Sequence, residues 1–316
     1  MLNRRHLRVK ALHNLYAAFQ SGKLEIAKGE KNLLGGIEKV YDLYLYFLLL
    51  VQEVTEQALQ EIEMGKVKRL PTPEDLNPNM RFVENQIAKK ISSNVELHKK
   101  CENKKIAWND EPEMIKKFFQ LIKNDEKYKS YMSPNAPTGF EEDKKIWLHI
   151  IKESMFDFEP FQFYFEEKSI VWIDDFQVVY TAVIKTIEDL KPEDNENKSL
   201  SSLYKDEEDD RKFVLELYRK TILNDTENEK AIANHTENWE VERIAMMDVL
   251  LMKMAITEAV TFSNIPVKVT LNEYIELSKN YSSPKSKVFI NGVLDKVFEL
   301  YKKEGKIKKV GRGLIE

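Results

Sequence analysis

The sequence predicts an all-α fold. Its 316 residues include only ten glycines and ten prolines, and long stretches rich in Leu, Lys and Glu contain neither residue. Such stretches favour helices, because Gly and Pro interrupt regular structure. With 42% apolar residues, the chain has enough hydrophobic material for one large domain or two ordinary ones. We therefore expect a globular helical protein.

The stretch KVFINGVLDKVF, residues 287–298, tests this prediction. Asn291-Gly292 between apolar residues is a strong signal for a β-hairpin. The apolar residues do not alternate, however, but recur at steps of four and three, which places them on one face of a helix. We predict a helix that runs to about residue 303, stops at Gly305 and contains Gly292 in its interior.

The N-terminal part of the chain divides into several predicted helices. The first carries arginines in its opening turns and ends at Ser21-Gly22, where glycine suits a C-terminal cap. The second contains the apolar run 43–51, which is too short to span a bilayer and is flanked by acids, so we expect buried core. A loop with three prolines occupies residues 68–79. The predicted helices cover residues 36–63, 82–105, 112–122, 142–156 and 173–190.

An acidic, serine-containing segment, KPEDNENKSLSSLYKDEEDD, follows from Lys191 and is the linker candidate. We place a domain boundary near residue 200. Beyond it the pattern predicts helices at residues 211–223, 241–262 and about 271–281. The middle one is apolar on most sides, so we expect it to be buried.

The two halves of the chain contain a weak internal similarity. A shift of 67 residues aligns EEDKKIWLHIIKESMF with DDRKFVLELYRKTIL, and sets Trp172 over Trp239 and Asp175 over Glu242. Few residues are identical. The agreement fits either a decayed duplication or chance among amphipathic helices.

The formal net charge of −4 hides a polarised distribution. Residues 1–10 carry a net charge of +4 and residues 296–316 carry another +4, which leaves −12 for the rest of the chain. Local basic clusters of this kind suit a partner that carries phosphates. The basic tail that follows Gly305 is interpreted either as a mobile solvated end or as a further phosphate contact.

Several classes of protein are disfavoured. The N-terminus carries charge where a secretory signal would be apolar, and the single Cys101 cannot form an internal disulfide, so we expect a cytoplasmic protein. The sequence contains no phosphate-binding loop, dinucleotide fingerprint or zinc-binding cysteine set. We expect no enzymatic activity, no cofactor, no metal and no membrane association. For Asn272 and Glu273, adjacent helical positions that face different directions, we expect structural hydrogen bonds.

Three segments of the sequence form a recognisable set: NRRHLRVKALHNLYAAFQ from Asn3, DVLLMKMAITEAVTFSNIP from Asp248 and NIPVKVTLNEYIELSKNYSSPKSKVFINGVLDKV from Asn264. They resemble, in turn, the first helix, the buried fifth helix and the C-terminal pattern of the NusB family of bacterial transcription antitermination factors. The resemblance implies a NusB-like helical bundle of two packed helical subdomains, in the long form associated with Bacteroidetes-type bacteria. The implied parts are residues 1–21 and 205–303 for the bundle, 22–204 for a helical insertion and 304–316 for a basic tail.

The resemblance also implies a function. It indicates an RNA-binding antitermination factor that acts with the ribosomal protein NusE on single-stranded boxA-like RNA from ribosomal RNA operons, in contact with the RNA polymerase elongation complex. Asp248 is the implied partner-binding residue. Two positions depart from the family pattern: Val249 stands where a basic residue is usual, and Lys285 stands where some members have an acid. The implied RNA-binding residues are Arg4, Arg5, Arg8, Lys10, Lys253, Lys285 and Phe289.

The chemistry of these residues suits single-stranded RNA, because cations pair with phosphates and unpaired bases stack on aromatic rings. Arg4 and Arg8 lie one helical turn apart and can follow an RNA backbone, while Leu12 and Tyr16 anchor the opposite face. The alternative is structural: the arginines would be a solvated helix start, and Phe289 would pack in the core.

Gly292 is interpreted as a close-packing position. A residue without a side chain lets two helices approach, and we expect the neighbour to be the arginine-bearing helix, which would bring Phe289 and the arginines to one surface. Two other functions remain open. One is a protein-interaction scaffold that has lost RNA binding. The other is an RNA-modifying enzyme, which would need a cofactor-binding domain for which the sequence has no pattern.

Overall fold

The computed structural model describes residues 1–22, 24–155, 157–236 and 245–314, with the side chains of residues 170, 171 and 173 left out. These described residues form helices and turns and no β-strand, which confirms the all-α prediction. The α-helices are α1 Arg4–Ser21, α2 Ile26–Lys66, α3 Pro73–Leu76, α4 Gln86–Ser92, α5 Val95–Lys104, α6 Pro112–Asn124, α7 Glu126–Tyr131, α8 Phe140–Ile150, α9 Glu159–Lys168, α10 Phe176–Glu188, α11 Glu207–Leu223, α12 Asp225–Ala233, α13 Met246–Thr261, α14 Val267–Tyr281 and α15 Ser286–Lys303.

The chain forms two compact units. The first unit contains residue 1 and residues 38–203, and the second contains residues 2–37 and 204–316. The chain therefore passes from one unit to the other within α2 and again just before α11. The extent of the insertion expected at residues 22–204 stays a prediction.

The first unit is organised around the apolar part of α2. Every residue from Leu43 to Val51 is buried, as the apolar run predicted. The ring of Tyr46 packs edge to face on Trp108 at 5.5 Å between centroids, and the indole N–H of Trp108 donates to the Tyr46 carbonyl at 3.0 Å. The ring centroid of Phe165 on α9 lies 5.4 Å from that of Tyr46. No helix in the described part of the chain is long and apolar enough to cross a membrane.

Several helix boundaries in the first unit differ from the prediction. The helix expected at residues 82–105 is two helices, because Asn94 caps α5 by accepting from the backbone N–H of Leu97 at 2.8 Å. Helix α8 ends at Ile150 and continues as a π-helical turn, Ile151–Met155. Helices α3, α7 and α9 were missed, since each is short.

The linker candidate is bonded to the first unit along part of its length. The backbone N–H of Val95 donates to the Glu196 carbonyl at 2.9 Å, and Glu96 accepts from the backbone N–H of Leu200 at 2.9 Å. Its last residues belong to α11, which begins at Glu207 instead of the predicted 211. The first part of the segment therefore belongs to the first unit, and its last residues belong to α11 of the second.

Helix α2 begins ten residues earlier than predicted because its first turns pack on α11 within the second unit. Glu30 accepts two hydrogen bonds from Arg219 at 2.7 and 3.0 Å. Gly29 lies so close to α11 that a Cβ there would be 1.8 Å from the hydroxyl oxygen of Tyr218. Residues 26–37 thus belong to the same compact unit as α1.

The second unit is built around α13, which is buried on most sides as predicted. Helix α1 ends at Gly22, whose φ of +66° is the left-handed cap conformation predicted there. Helix α12 was not predicted from the sequence. Trp239, Val241 and Glu242, which belong to the internal similarity and to the start of the helix predicted at residues 241–262, lie outside the described residues, so the internal duplication stays a prediction.

The stretch KVFINGVLDKVF is helical, which confirms the helix predicted from the spacing of its apolar residues. The β-hairpin suggested by Asn291-Gly292 does not form. The side chains of Ile290, Val293, Leu294 and Val297 are buried on one face of α15. The interpretation of Gly292 is wrong, however. A Cβ at this position would meet no atom within 4 Å, so Gly292 does not pack closely against another helix.

Candidate nucleic-acid interface

The candidate surface consists of α1, α14 and the start of α15, all within the second unit. Arg5 of α1 donates to both carboxylate oxygens of Glu273 on α14, at 2.8 and 2.7 Å. Eight residues further along both helices, the rings of His13 and Tyr281 meet edge to face with their centroids 5.2 Å apart. Helices α1 and α14 therefore run in the same direction and are bridged by side chains, while α1 packs mainly on α11 and α13. The chain then turns and enters α15, whose first turns carry Phe289.

The surface is elongated. Glu273 and Tyr281 are separated by eight residues of α14, which corresponds to about 12 Å of helix. The arginine end of α1 lies beside Glu273, and α15 begins after the other end of α14. The ring of Phe289 is partly exposed, so it is not sealed in the core.

Arg4 and Arg5 are exposed enough to meet a ligand, but each already contacts carboxylates. Arg4 binds Asp209 and Asp210, the latter at 3.0 Å, and its guanidinium lies 4.1 Å above the ring of Phe213. The hydrogen bond from Arg5 holds the pKa of Glu273 below its usual value, so the carboxylate stays ionised. A phosphate that binds either arginine must therefore compete with acids of the same unit.

Arg8 corrects the expectation of an exposed arginine face. Its side chain is 3% exposed and donates to both oxygens of Glu258 at 2.7 Å. Glu258, on α13, is completely buried and also accepts from the hydroxyls of Thr270 and Tyr274 at 2.9 and 3.1 Å. The carboxylate thus has four donors, which is the arrangement a buried charge needs. Tyr16, expected to anchor the opposite face, is exposed instead.

Lys10 and Lys253 are also buried, in contrast to the predicted contact with RNA. The ammonium group of Lys253 binds Asp225 at 2.6 Å and Glu229 at 2.9 Å, and so joins α13 to α12. Lys285, just before α15, is exposed. The predicted RNA-binding residues that remain accessible are therefore Arg4, Arg5, Lys285 and Phe289.

Asp248, the predicted partner-binding residue, is buried at the start of α13. Its carboxylate accepts hydrogen bonds from the hydroxyls of Ser282 and Ser286, the latter at 2.7 Å. These serines lie at the turn between α14 and α15. Asp248 therefore fixes the entry into α15 and hence the position of Phe289, and its burial conflicts with the predicted direct contact.

The basic tail is partly docked. Lys309 donates to the Phe262 carbonyl at 2.8 Å, and the backbone N–H of Val310 donates to the Ser263 carbonyl at 3.0 Å. A Cβ at Gly313 would lie only 2.0 Å from that Ser263 oxygen. Burial lowers the pKa of Lys309 to about 8. Lys309 is thus anchored to the loop after α13, whereas Lys308 and Arg312 beside it are exposed, so a phosphate contact by the tail stays a prediction.

The acids that bind the arginines were not predicted from the sequence. Asp209 and Asp210 were assigned to the linker, and Glu258 was passed over inside an apolar run. A signal for Glu258 was present, because an acid in a helix buried on most sides requires a partner. For Glu273 the expected structural hydrogen bonding is confirmed.

Comparisons with known proteins agree on one family. The family model described as "NusB family" matches residues 176–299, which include α10 to α14 and most of α15. Among curated proteins, the transcription antitermination protein NusB of Salinibacter ruber is 42% identical over 105 residues, which cover 33% of this chain and 66% of that protein. The protein of the same name from Chloroherpeton thalassium is 39% identical over 104 residues, 33% of this chain and 49% of that protein.

A third curated relative is matched over more of its length. The transcription antitermination protein NusB of Dictyoglomus turgidum is 36% identical over 104 residues, which cover 33% of this chain and 70% of that protein. The chain thus spans between about half and two thirds of the first two relatives. No solved structure matches.

Proposed function

The chain belongs to the NusB family, and from this premise we propose that it is an RNA-binding transcription antitermination factor. In this proposal it acts with the ribosomal protein NusE on boxA-like single-stranded RNA of ribosomal RNA operons and contacts the RNA polymerase elongation complex. The accessible contact residues are Arg4, Arg5, Lys285 and Phe289. Arg8, Lys10, Lys253 and Asp248 support the surface from within the core.

One observation supports the geometry most directly. The pairs Arg5–Glu273 and His13–Tyr281 hold α1 along α14, and α14 leads through a short turn into α15. Cations near one end of this surface and a partly exposed aromatic ring near the other suit phosphates and unstacked bases of one strand.

The test is a titration of the full-length protein with fluorescent single-stranded RNA that contains a boxA-like element, followed by anisotropy. We expect specific binding over a scrambled strand, strengthened by NusE, and an affinity that falls as salt rises. Equal weak binding of both strands would contradict the proposal.

A second function is favoured by a specific observation, the pairing of all three arginines of α1 with carboxylates. A helical protein-interaction scaffold that has lost RNA binding would keep such internal pairs. In the same titration it would bind NusE and show no selectivity for RNA. The two functions are therefore separated by one experiment.

The Arg5–Glu273 pair yields a further prediction. The Arg5 side chain is 49% exposed, and an exposed ion pair contributes only about 0.2–1 kcal/mol, so phosphate can displace the carboxylate. We expect Glu273→Gln to bind boxA-like RNA roughly 2–5-fold more tightly, because the competing negative charge is removed.

The control for this variant is Glu299→Gln, which removes a carboxylate that is paired with Lys303 near the far end of α15. It changes the net charge equally, and we expect no more than a marginal change in affinity. If both variants gain affinity to the same extent, the effect is one of net charge and not of competition at Arg5.

A further inference from the structure

Nothing in the fold explains why a glycine occupies position 292 in the interior of α15. Glycine is the least favourable residue in a helix interior after proline. Its backbone is not among the positive-φ glycines of the chain, and a Cβ would meet open space. Neither backbone conformation nor internal packing requires glycine at this position.

The surroundings of Gly292 on the surface of α15 are unusual. Phe289, three residues earlier, is partly exposed, and Val288, four residues earlier, is 71% exposed. Residues at these spacings lie next to one another on a helix. Lys285 and Lys296, seven residues before and four residues after Gly292, are exposed, and neither forms an ion pair within the described residues. The glycine thus leaves bare backbone beside an aromatic residue and between two cations, and the one acid at this spacing, Asp295, accepts a hydrogen bond from Asn291 at 2.9 Å.

We propose that Gly292 keeps this stretch of backbone bare so that a nucleotide next to the base stacked on Phe289 can lie flat against α15. A ribose or base that approaches a helix backbone to van der Waals distance would collide with a Cβ. Lys285 and Lys296 then pair with the flanking phosphates. The proposal rests on RNA binding by this surface, as proposed above, and adds a residue that determines how closely the strand approaches.

Open space around a helical glycine is not sufficient evidence for such a role, because Gly35 in α2 has the same open space. A Cβ at Gly35 would also meet no atom within 4 Å, yet the residues three and four positions away are Lys31, Asn32, Glu38 and Lys39, with no aromatic or aliphatic side chain among them. Gly35 therefore offers a matched control: the same residue type in a helix interior, with the same open space and no stacking ring beside it.

The experiment compares Gly292→Ala, Gly292→Leu and Gly35→Ala in the full-length protein. Because alanine favours helix, both alanine variants should raise the unfolding temperature by roughly 1–3 °C. We expect Gly292→Ala to weaken binding of boxA-like RNA about 3–10-fold and Gly292→Leu to weaken it further, whereas Gly35→Ala should bind like the wild type.

The outcomes are distinguishable. If the wild type binds RNA and Gly292→Ala binds equally well, the proposed role of Gly292 is overturned and RNA binding stands. If Gly292→Ala loses affinity for NusE but not for RNA, the bare backbone serves a protein, which also overturns the inference. If the wild type shows no RNA selectivity, the function itself fails before any variant is measured.

Discussion

Replacement of Arg8 by methionine should lower the free energy of unfolding by about 3–5 kcal/mol. Methionine keeps much of the aliphatic volume, so the loss reports mainly the charge. Glu258 would remain completely buried with only the hydroxyls of Thr270 and Tyr274 as donors. Since native proteins are stable by only about 5–15 kcal/mol, a loss of this size is measurable by urea unfolding followed by circular dichroism.

The control is an ion pair of the same geometry at the surface. Arg219 donates to both oxygens of Glu30, at 2.7 and 3.0 Å, but its side chain is 52% exposed. We expect Arg219→Met to cost no more than about 1 kcal/mol, because solvent screens the pair. Equal losses in the two variants would contradict the assignment of Glu258 as a buried charge that depends on Arg8.

A double variant separates stability from RNA contact. Glu258→Gln removes the unpaired charge while keeping an oxygen that accepts a hydrogen bond, so Arg8→Met with Glu258→Gln should recover part of the stability. If Arg8 acts only by holding α1 in place, this double variant should bind RNA like the wild type. A stable double variant with lost RNA affinity would instead restore the direct contact predicted from the family resemblance.

Sequence patterns predicted most of the helices but failed to predict the surroundings of Arg8 and Gly292. The helical period correctly predicted α15, but of the two residues expected to anchor α1 only Leu12 is buried, while Tyr16 is exposed. Arg8 lies four residues before the buried Leu12 and therefore on the same face of α1, so its spacing already indicated a buried side chain. The prediction of an exposed Arg8 followed the family resemblance and the one-turn spacing from Arg4. Charged side chains are usually exposed, and Arg8 is an exception because the buried Glu258 on another helix supplies its partner.

The prediction that Gly292 packs closely against another helix failed for a different reason. A glycine in a helix indicates either close packing or open space, and the sequence does not specify which element lies opposite. Similarly, the residues at the start of α11 were interpreted as a linker because they are acidic, whereas their acids cap the helix and bind Arg4. Long-range pairs of this kind depend on tertiary packing, which a local pattern does not encode.

Phe289→Ala should weaken binding of boxA-like RNA by about 1–3 kcal/mol, roughly 5–150-fold, because a stacked base loses its aromatic partner. The ring carries no charge, so the slope of log affinity against log salt should stay unchanged. By contrast, Arg5→Ala should reduce that slope by about one, since one phosphate contact is lost. Both quantities come from anisotropy titrations at several salt concentrations.

The matched control for the ring is Phe163→Ala on α9, because Phe163 is 62% exposed and belongs to the first unit. We expect this variant to bind RNA like the wild type.

Phe289→Leu and Phe289→Trp decide between stacking and packing. Leucine keeps an apolar side chain that can fill space but cannot stack, so it should bind RNA nearly as poorly as alanine, while tryptophan should retain affinity. If leucine instead restores binding together with the unfolding temperature, Phe289 acts by packing α15 against its neighbours. The exposed arginines would then have to hold the strand without an aromatic partner at this position, which predicts weak and strongly salt-dependent binding.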